Sequence, residues 1–334
     1  MIKAAFLQLR FWKTYHASSP YRYFFTAGGY HGIKTIINMF CIARKEDLKK
    51  INFDEYEFVI VDQGLATHPL VKEIDKPKMF LALNVHAWDE KAWNSFNDAV
   101  KASDYTLTQY PFAKFPDYVP FHPWKQKCET DKFIFFPHHV ADIDLLWDFD
   151  PWERNGFLLS GLRGRPIYDY RADVEDLIKS TAANACEKIF EVLDNSANIE
   201  HENYLVYLRK FVGAITCNSS FGYTVGKYTE IPSQGTVLVA PPIPEEEAEI
   251  LGFKNGQNCM WVQDPKNVPT VCEVLNNNRD YAKSVAKHGL DLIAERHTSL
   301  ARFRFLELMM HDHKTRAHVS PKRGIELLKE SYRR

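Results

Sequence analysis

The chain of 334 residues is 45% hydrophobic and 25% charged, the balance of a folded globular protein with room for about two domains, each with a full core. Its net charge of -1 supplies no global field toward nucleic acid or an anionic membrane. Its six scattered cysteines, Cys41, Cys128, Cys186, Cys217, Cys259 and Cys272, include no Cys-x-x-Cys pair, which favours reduced core thiols over disulfides or zinc and predicts a reducing, cytoplasmic setting.

Ile2 to Leu9 is apolar enough for a buried strand, and Arg10, Trp12 and Lys13 follow it at once, so the segment is read as a strand and not as a leader. No apolar run approaches the roughly twenty residues that a membrane-spanning helix needs. An aromatic loop from Ser18 to Gly32 contains Gly28-Gly29, where backbone without Cβ allows close approach of a ligand. A helix is predicted from Ile33 to Ala43. Strands are predicted at Phe58 to Asp62, Met79 to Asn84, Tyr105 to Thr108 and Phe133 to Phe136. Short apolar strands alternating with helical patterns predict a parallel, doubly wound α/β sheet, whose ligands bind beyond the carboxyl ends of its strands. Asp62 and His86 stand at such ends.

After Phe136-Pro137-His138-His139 a linker is predicted from about Ala141 to Arg154, and Gly156 to Ser160 opens a second sheet. Gly161, Arg163, Arg165 and Arg171 follow that strand, where guanidinium groups suit a diphosphate. The apolar run Phe211 to Ile215 ends in Asn218-Ser219-Ser220, and a helix is predicted to open at Gly222, to carry Tyr223, Thr224, Lys227 and Glu230, and to stop at Gly235. Its N-terminus would suit a phosphate, and Glu230, two turns on, would reach ribose hydroxyls. Thr236 to Val239 is another buried strand. Glu245 to Glu249 reads as a solvated helix start, and Ala282, Val285, Ala286, Gly289 and Ile293 trace the apolar face of a later helix.

Lys227-Tyr228-Thr229-Glu230 with Gly235, then Gly252-Phe253 with Gly256 and Asn258, resemble the donor-binding half of GT-B glycosyltransferases, in particular retaining enzymes of the family-four type and the spore-maturation-protein-like group. Arg279 to Leu308 resembles that group's closing helices, with Ala286, Gly289, His297 and Arg302 in familiar places, and the whole match covers about the last half of the chain. The resemblance implies two Rossmann-like doubly wound domains facing across a cleft: an acceptor-side domain at 1–145, a nucleotide-sugar domain at 155–312, and a terminal helix at 313–334 that crosses back to the first. It implies transfer of a hexosyl or pentosyl group from a UDP or GDP sugar, with retention and without metal or other cofactor. The acceptor would be the hydroxyl of a glycan, a lipid-linked glycan, a small molecule or a modified nucleobase.

The resemblance assigns catalysis to His86, Lys227 and Arg171. Donor binding falls to Glu230, Gly222, Tyr223, Thr224, Gly161, Arg163, Arg165, Gly28 and Gly29. The family-four pattern places a sugar-binding glutamate eight positions before the ribose-binding one; here Gly222 stands there, which puts the sugar contact in question. A DNA-modifying GT-B enzyme and a non-catalytic nucleotide-sugar binder are the alternatives. Asp142, Asp144, Asp148 and Asp150 offer a rival reading, aspartates spaced to hold a divalent cation on a nucleotide diphosphate as in GT-A enzymes.

Overall fold

The computed structural model describes residues 2–9, 35–42, 45–62, 65–82, 90–109, 130–150, 152–165, 168–181, 189–193, 201–218 and 224–332. Gly28, Gly29, His86, Gly222 and Tyr223 lie outside the described residues. The chain forms two compact units, one of Met1–Pro137 with Ser299–Arg334 and one of His138–Thr298.

The first unit begins with β1 (Ile2–Leu9), β2 (Thr35–Ile42), β3 (Phe58–Asp62), β4 (Lys78–Ala82), α1 (Glu90–Lys101), β5 (Tyr105–Thr108) and β6 (Phe133–Phe135). The strands form one parallel sheet in the order β2-β1-β3-β4-β5-β6. Ile2, Ala4, Ala5, Phe6 and Leu7 of β1 are buried, as is every residue of β3; such unbroken apolar runs belong to strands covered on both faces. Asp62 ends β3, where its Oδ1 accepts the Leu65 N–H at 3.2 Å and closes the following turn.

The helix expected from Ile33 to Ala43 is instead strand β2, paired with β1 from Ile2↔Thr35 to Leu9↔Ile42. The spacing of Ile36, Ile37, Phe40 and Cys41 also fits a helical stripe, so the pattern alone is ambiguous. Thr35, Ile36, Ile37 and Ile42 are β-branched and favour the pleated backbone, and β1 supplies the ladder that decides between the two.

The second unit contains β7 (Phe157–Leu159), α2 (Asp169–Thr181), β8 (Phe190–Val192), α3 (His201–Leu208), β9 (Gly213–Ile215), α4 (Lys227–Ser233), β10 (Val237–Ala240), α5 (Glu245–Leu251), β11 (Met260–Trp261), α6 (Val268–Asn277) and α7 (Arg279–Arg296). Its parallel sheet runs β11-β10-β9-β7-β8, so the strand order reverses between β7 and β9. Phe157, Leu159, Ile215, Val237 and Val239 share a core with Val174 of α2, Cys272 of α6 and Ala282, Val285 and Ala286 of α7. The helical face read from the last three residues is thus core packing.

Arg154 braces the start of this sheet. Its guanidinium is buried, donates to Thr236 Oγ1 at 2.7 Å, to the Gln234 carbonyl at 2.7 Å and to the Phe211 carbonyl at 3.4 Å; burial, with help from nearby Arg209, pulls its pKa down to about 10. The segment expected as a linker belongs to the second unit. Leu146 N–H donates to the Ser233 carbonyl at 3.0 Å, Trp152 Nε1–H donates to the Gly235 carbonyl at 3.0 Å, and Phe149 packs against Gly235.

The chain rejoins the first unit at Ser299, earlier than the expected boundary near 313, through α8 (Ser299–Arg316) and α9 (Pro321–Ser331). The cause is packing of α8 against Phe136 and Pro137. Arg302 is fully buried and its Nε donates to the Pro137 carbonyl at 2.9 Å, while Phe305 packs on Phe136 at 5.9 Å. Gly324 of α9 lies against β6, where an added Cβ would stand 3.0 Å from Ile134 Cγ2.

Tyr105 of β5 locks this terminus. Its hydroxyl accepts the Val319 N–H at 3.0 Å and shares a hydrogen bond with His313 Nδ1 at 2.7 Å. Burial lowers the His313 pKa from its ordinary 6.5, with nearby His318 acting in the same direction and Asp104 against it. The unfolded chain therefore binds this proton more readily than the folded one. The contribution is fully present above pH 6.5 and is lost as pH falls from there through the depressed folded value. His313→Gln is expected to show a smaller fall in melting temperature than the wild type between pH 7.5 and pH 5.5, conditions set around the ordinary histidine pKa. Parallel pH curves would show that burial of His313 does not carry the effect.

Candidate functional site

Two strand ends flank the order reversal in the second sheet. β7 exits into Ser160 and Gly161, and β9 exits into Thr216 and Cys217. Crevices at such switch points are where open parallel sheets bind ligands. Gly161 has φ +96°, a backbone state that favours glycine. A Cβ built there would stand 2.0 Å from Arg171 Nη1 and 3.1 Å from Lys227 Cε. Two cationic side chains, from α2 and α4, thus converge on one glycine.

Arg171 is only 4% exposed. Its Nε donates to Cys217 Sγ at 3.0 Å, its Nη1 donates to the Ser160 carbonyl at 3.3 Å, and its guanidinium lies 4.3 Å from the Tyr168 ring centroid. Among the described residues no carboxylate pairs with it. A buried guanidinium without a counter-charge is costly, and an anion that accepts its remaining N–H groups would relieve that cost. Burial also raises the Cys217 pKa, partly offset by Arg171, so the sulfur is a thiol at neutral pH and supplies no negative charge.

Lys227 opens α4. Its Nζ lies 3.6 Å from Glu230 Oε2 and 3.8 Å from the centroid of the Tyr204 ring. Burial acts to lower its pKa, but Tyr204 and Glu230 outweigh burial and hold it above the ordinary value, so the ammonium is charged. Glu230 Oε1 turns back toward Gly226, and His138 Nδ1 stands on the same side, 3.1 and 3.8 Å from a Cβ built at Gly226. The described charges at this strand end are two cations against one carboxylate.

The other expected arginines are committed to the protein itself. Arg163 Nε pairs with Glu175 at 2.5 Å, and its Nη1 donates to the Leu193 carbonyl at 2.9 Å and the Gly161 carbonyl at 3.2 Å, which ties the ends of β7 and β8 together. Arg165 meets Asp169, Asp173 and Asp176 on the exposed side of α2. Thr224 is buried and its hydroxyl donates to Glu247 Oε1 at 3.0 Å. Glu247, expected in a solvated helix start, is therefore an interior anchor for the segment before α4. Of these residues, Arg163 contacts Gly161, and it does so at the carbonyl.

The helix expected to open at Gly222 begins at Lys227, after Gly226, and has seven residues. Thr224 and Val225 precede it outside the helix. An anion near Gly161 would thus be held by side chains more than by a helix end. The Gly252 to Asn258 motif is a turn. Gly252 ends α5 at φ +85°, Gly256 has φ +73°, Asn258 Oδ1 accepts the Lys254 N–H at 2.8 Å, and Phe253 stacks on His297 at 6.1 Å. Its role is to seat α5 and β11, with Tyr228 packed against Phe253 and Trp261.

Among the described residues no group of three or more histidine, cysteine or acidic side chains gathers as metal ligands. Asp150 pairs with Lys283 at 2.5 Å. Also among the described residues, no helix is long and apolar enough to cross a membrane.

Ser160, Tyr204, Cys217 and His138 belong to this neighbourhood and were not assigned to the site from the sequence. Ser160 adjoins the conspicuous Gly161 and was findable by position. Tyr204 comes from a helix without a recognisable motif, and only the packing of α3 brings it to Lys227.

No family model matches the chain, and no curated protein matches it. Its structure is similar to a glycosyltransferase from Rickettsia africae, with 10% identity over 94% of this chain and 99% of that one at a TM-score of 0.61. HepE from Anabaena, in complex with UDP and glucose, shares 10% identity over 93% of this chain and 100% of its own at 0.58. An α-glucosyltransferase in complex with UDP-glucose and DNA containing an abasic site shares 8% over 89% and 96% at 0.58. At such identities the likeness is one of fold, and it agrees with the two parallel sheets: the chain has the GT-B glycosyltransferase fold, built of two Rossmann-like domains.

Proposed function

We propose that this protein is a glycosyltransferase that takes a nucleoside diphosphate sugar, UDP-linked in the first instance, and passes the sugar to a hydroxyl acceptor with retention and without a metal ion. The observation that carries the reading is the convergence of Arg171 and Lys227 on Gly161 at the strand-order reversal. Two cations answered by the single carboxylate of Glu230 suit a diphosphate. UDP and UDP-glucose in the similar HepE structures favour a uridine donor.

In the proposed reaction the bond between the anomeric carbon and the diphosphate oxygen breaks, and the acceptor oxygen bonds to that carbon on the same face. The acceptor proton passes to a donor phosphate oxygen. Arg171 and Lys227 carry the negative charge that grows on the departing diphosphate. Glu230 would accept from ribose hydroxyls while it orients Lys227, and His86, outside the described residues, keeps the catalytic role that the resemblance implies.

One experiment tests the reading. The protein is melted with UDP, GDP, ADP and dTDP sugars, and turnover of any stabilising donor is then followed with and without saturating EDTA on glycan, lipid, small-molecule and DNA acceptors. A ligand that binds only the folded state at about 100 times its Kd adds about 2.7 kcal/mol of stability, so a UDP sugar is expected to raise the melting temperature clearly. Activity is expected to survive EDTA, and Asp148→Asn and Asp150→Asn are expected to change turnover less than threefold, about 0.7 kcal/mol. No shift with any donor would overturn the proposal. Activity abolished by EDTA and restored by manganese would overturn its metal-free form.

A further inference from the structure

We infer that Tyr204 is a positioning residue for the Lys227 ammonium, with Ser160 fixing Tyr204 in turn. The inference rests on the donor-site reading of Lys227 given above and deepens it.

The geometry is specific. Lys227 Nζ stands 3.8 Å from the Tyr204 ring centroid, well inside the roughly 6 Å reach of a cation–π contact. The Tyr204 hydroxyl is 2.8 Å from Ser160 Oγ, and both residues are buried. Ser160 is the last residue before Gly161, and its carbonyl accepts from Arg171 Nη1 at 3.3 Å. One residue at the end of β7 therefore sets the positions of both cations, Arg171 directly through its backbone and Lys227 through Tyr204. Tyr204 is carried by α3, whose Leu205 and Leu208 are buried in the second unit.

A ring suits this task better than a carboxylate would. Lysine carries its charge on a flexible four-carbon stem and loses rotamer freedom when it binds. Glu230 restrains Nζ at 3.6 Å, but a carboxylate also cancels the charge and competes with an incoming anion. The face of a phenol ring attracts the ammonium through its quadrupole and leaves the net charge intact. With both Tyr204 and Glu230 against it, the ammonium is oriented while one full positive charge, that of Arg171, stays unanswered by any described carboxylate. A second carboxylate in place of Tyr204 would bring the cluster to neutrality.

The test uses the full chain, with UDP as probe. UDP affinity and donor turnover are measured against pH for the wild type, Tyr204→Phe, Tyr204→Leu, Ser160→Ala and Lys227→Met, and for Tyr204→Leu combined with Lys227→Met. Tyr204→Leu is expected to weaken UDP binding by about 3- to 30-fold, the range of a desolvated cation–π contact. The alkaline limb of UDP binding should also move to lower pH, because one of the two groups that hold the Lys227 proton is gone. Tyr204→Phe keeps the ring and is expected to lose less, as is Ser160→Ala. In the Lys227→Met background Tyr204→Leu should add almost nothing, a coupling that a merely structural role would not produce. Equal losses in both backgrounds, or a Tyr204→Leu protein with wild-type affinity and pH profile, would overturn the inference. Should Tyr204→Leu fail to fold, the same cycle with Tyr204→Phe and Ser160→Ala decides, and additive effects there overturn it. The donor-site reading fails separately, and takes this inference with it, when the wild type binds none of UDP, GDP, ADP and dTDP or when Lys227→Met binds UDP as the wild type does. UDP binding that depends on Lys227 but ignores Tyr204 and Ser160 overturns the inference alone.

Discussion

Arg171→Met is expected to lower donor turnover by about 100- to 1,000-fold, the loss typical when one preorganised donor to a developing oxyanion is removed, and to leave the protein folded. The side chain is buried to 4% exposure, and among the described residues it has no carboxylate partner. The native state thus loses two moderate hydrogen bonds, to the Ser160 carbonyl and Cys217 Sγ, and is relieved of a buried charge; methionine fills similar volume. The stability change is therefore expected to be small, of the order of 1 kcal/mol in either direction, and a melting curve checks it. The catalytic loss should fall on kcat more than on KM, because negative charge on the departing diphosphate is greatest in the transition state. Arg171→Lys should recover little, since an ammonium cannot reproduce a planar guanidinium that lies against Tyr168 and reaches past Gly161. A folded Arg171→Met enzyme with unchanged kcat and raised KM would make this side chain a ground-state anchor only.

Much of the sheet framework was legible because buried parallel strands announce themselves as short apolar runs. Tyr105–Thr108, Phe58–Asp62 and Ile2–Leu9 stand where they were read. Strand β2 was not, because a run such as Thr-Ile-Ile-Asn-Met-Phe-Cys-Ile satisfies both periods and only its pairing with β1 settles it. Helix α4 was misjudged at its start for a related reason. Gly222 and Gly226 are equally good places to begin, and the Thr224 hydroxyl, bound to buried Glu247, holds the preceding residues out of the helix.

Charge was legible as composition but not as partnership. Arg163, Arg165 and Arg171 look equivalent in the sequence. Glu175 takes the first and three aspartates of α2 take the second, and only Arg171 reaches the strand end with its charge unmatched. The acidic partners stand at Asp169, Asp173, Glu175 and Asp176 of α2, where i,i+4 spacing alone would hand Glu175 to Arg171; only the fold gives it to Arg163. Tyr204 required a tertiary contact that no local pattern encodes.

Gly161→Ala is the sharpest probe of the site, because it adds one methyl group and no charge. At φ +96° an alanine strains the backbone by about 1–3 kcal/mol. Its Cβ would also stand 2.0 Å from Arg171 Nη1, far inside contact distance. The guanidinium cannot swing away freely, for it is held by Ser160, Cys217 and Tyr168; any escape moves it from the place where it would meet a diphosphate. UDP affinity is therefore expected to fall at least tenfold, about 1.4 kcal/mol, alongside a lowered melting temperature. Gly164→Ala is the matched control: it lies three residues on in the same loop, and a Cβ there meets nothing within 4 Å. Its UDP affinity should equal that of the wild type. Should Gly161→Ala bind UDP as tightly as Gly164→Ala does, the diphosphate does not approach the end of β7, and the placement of the donor between Arg171 and Lys227 is wrong.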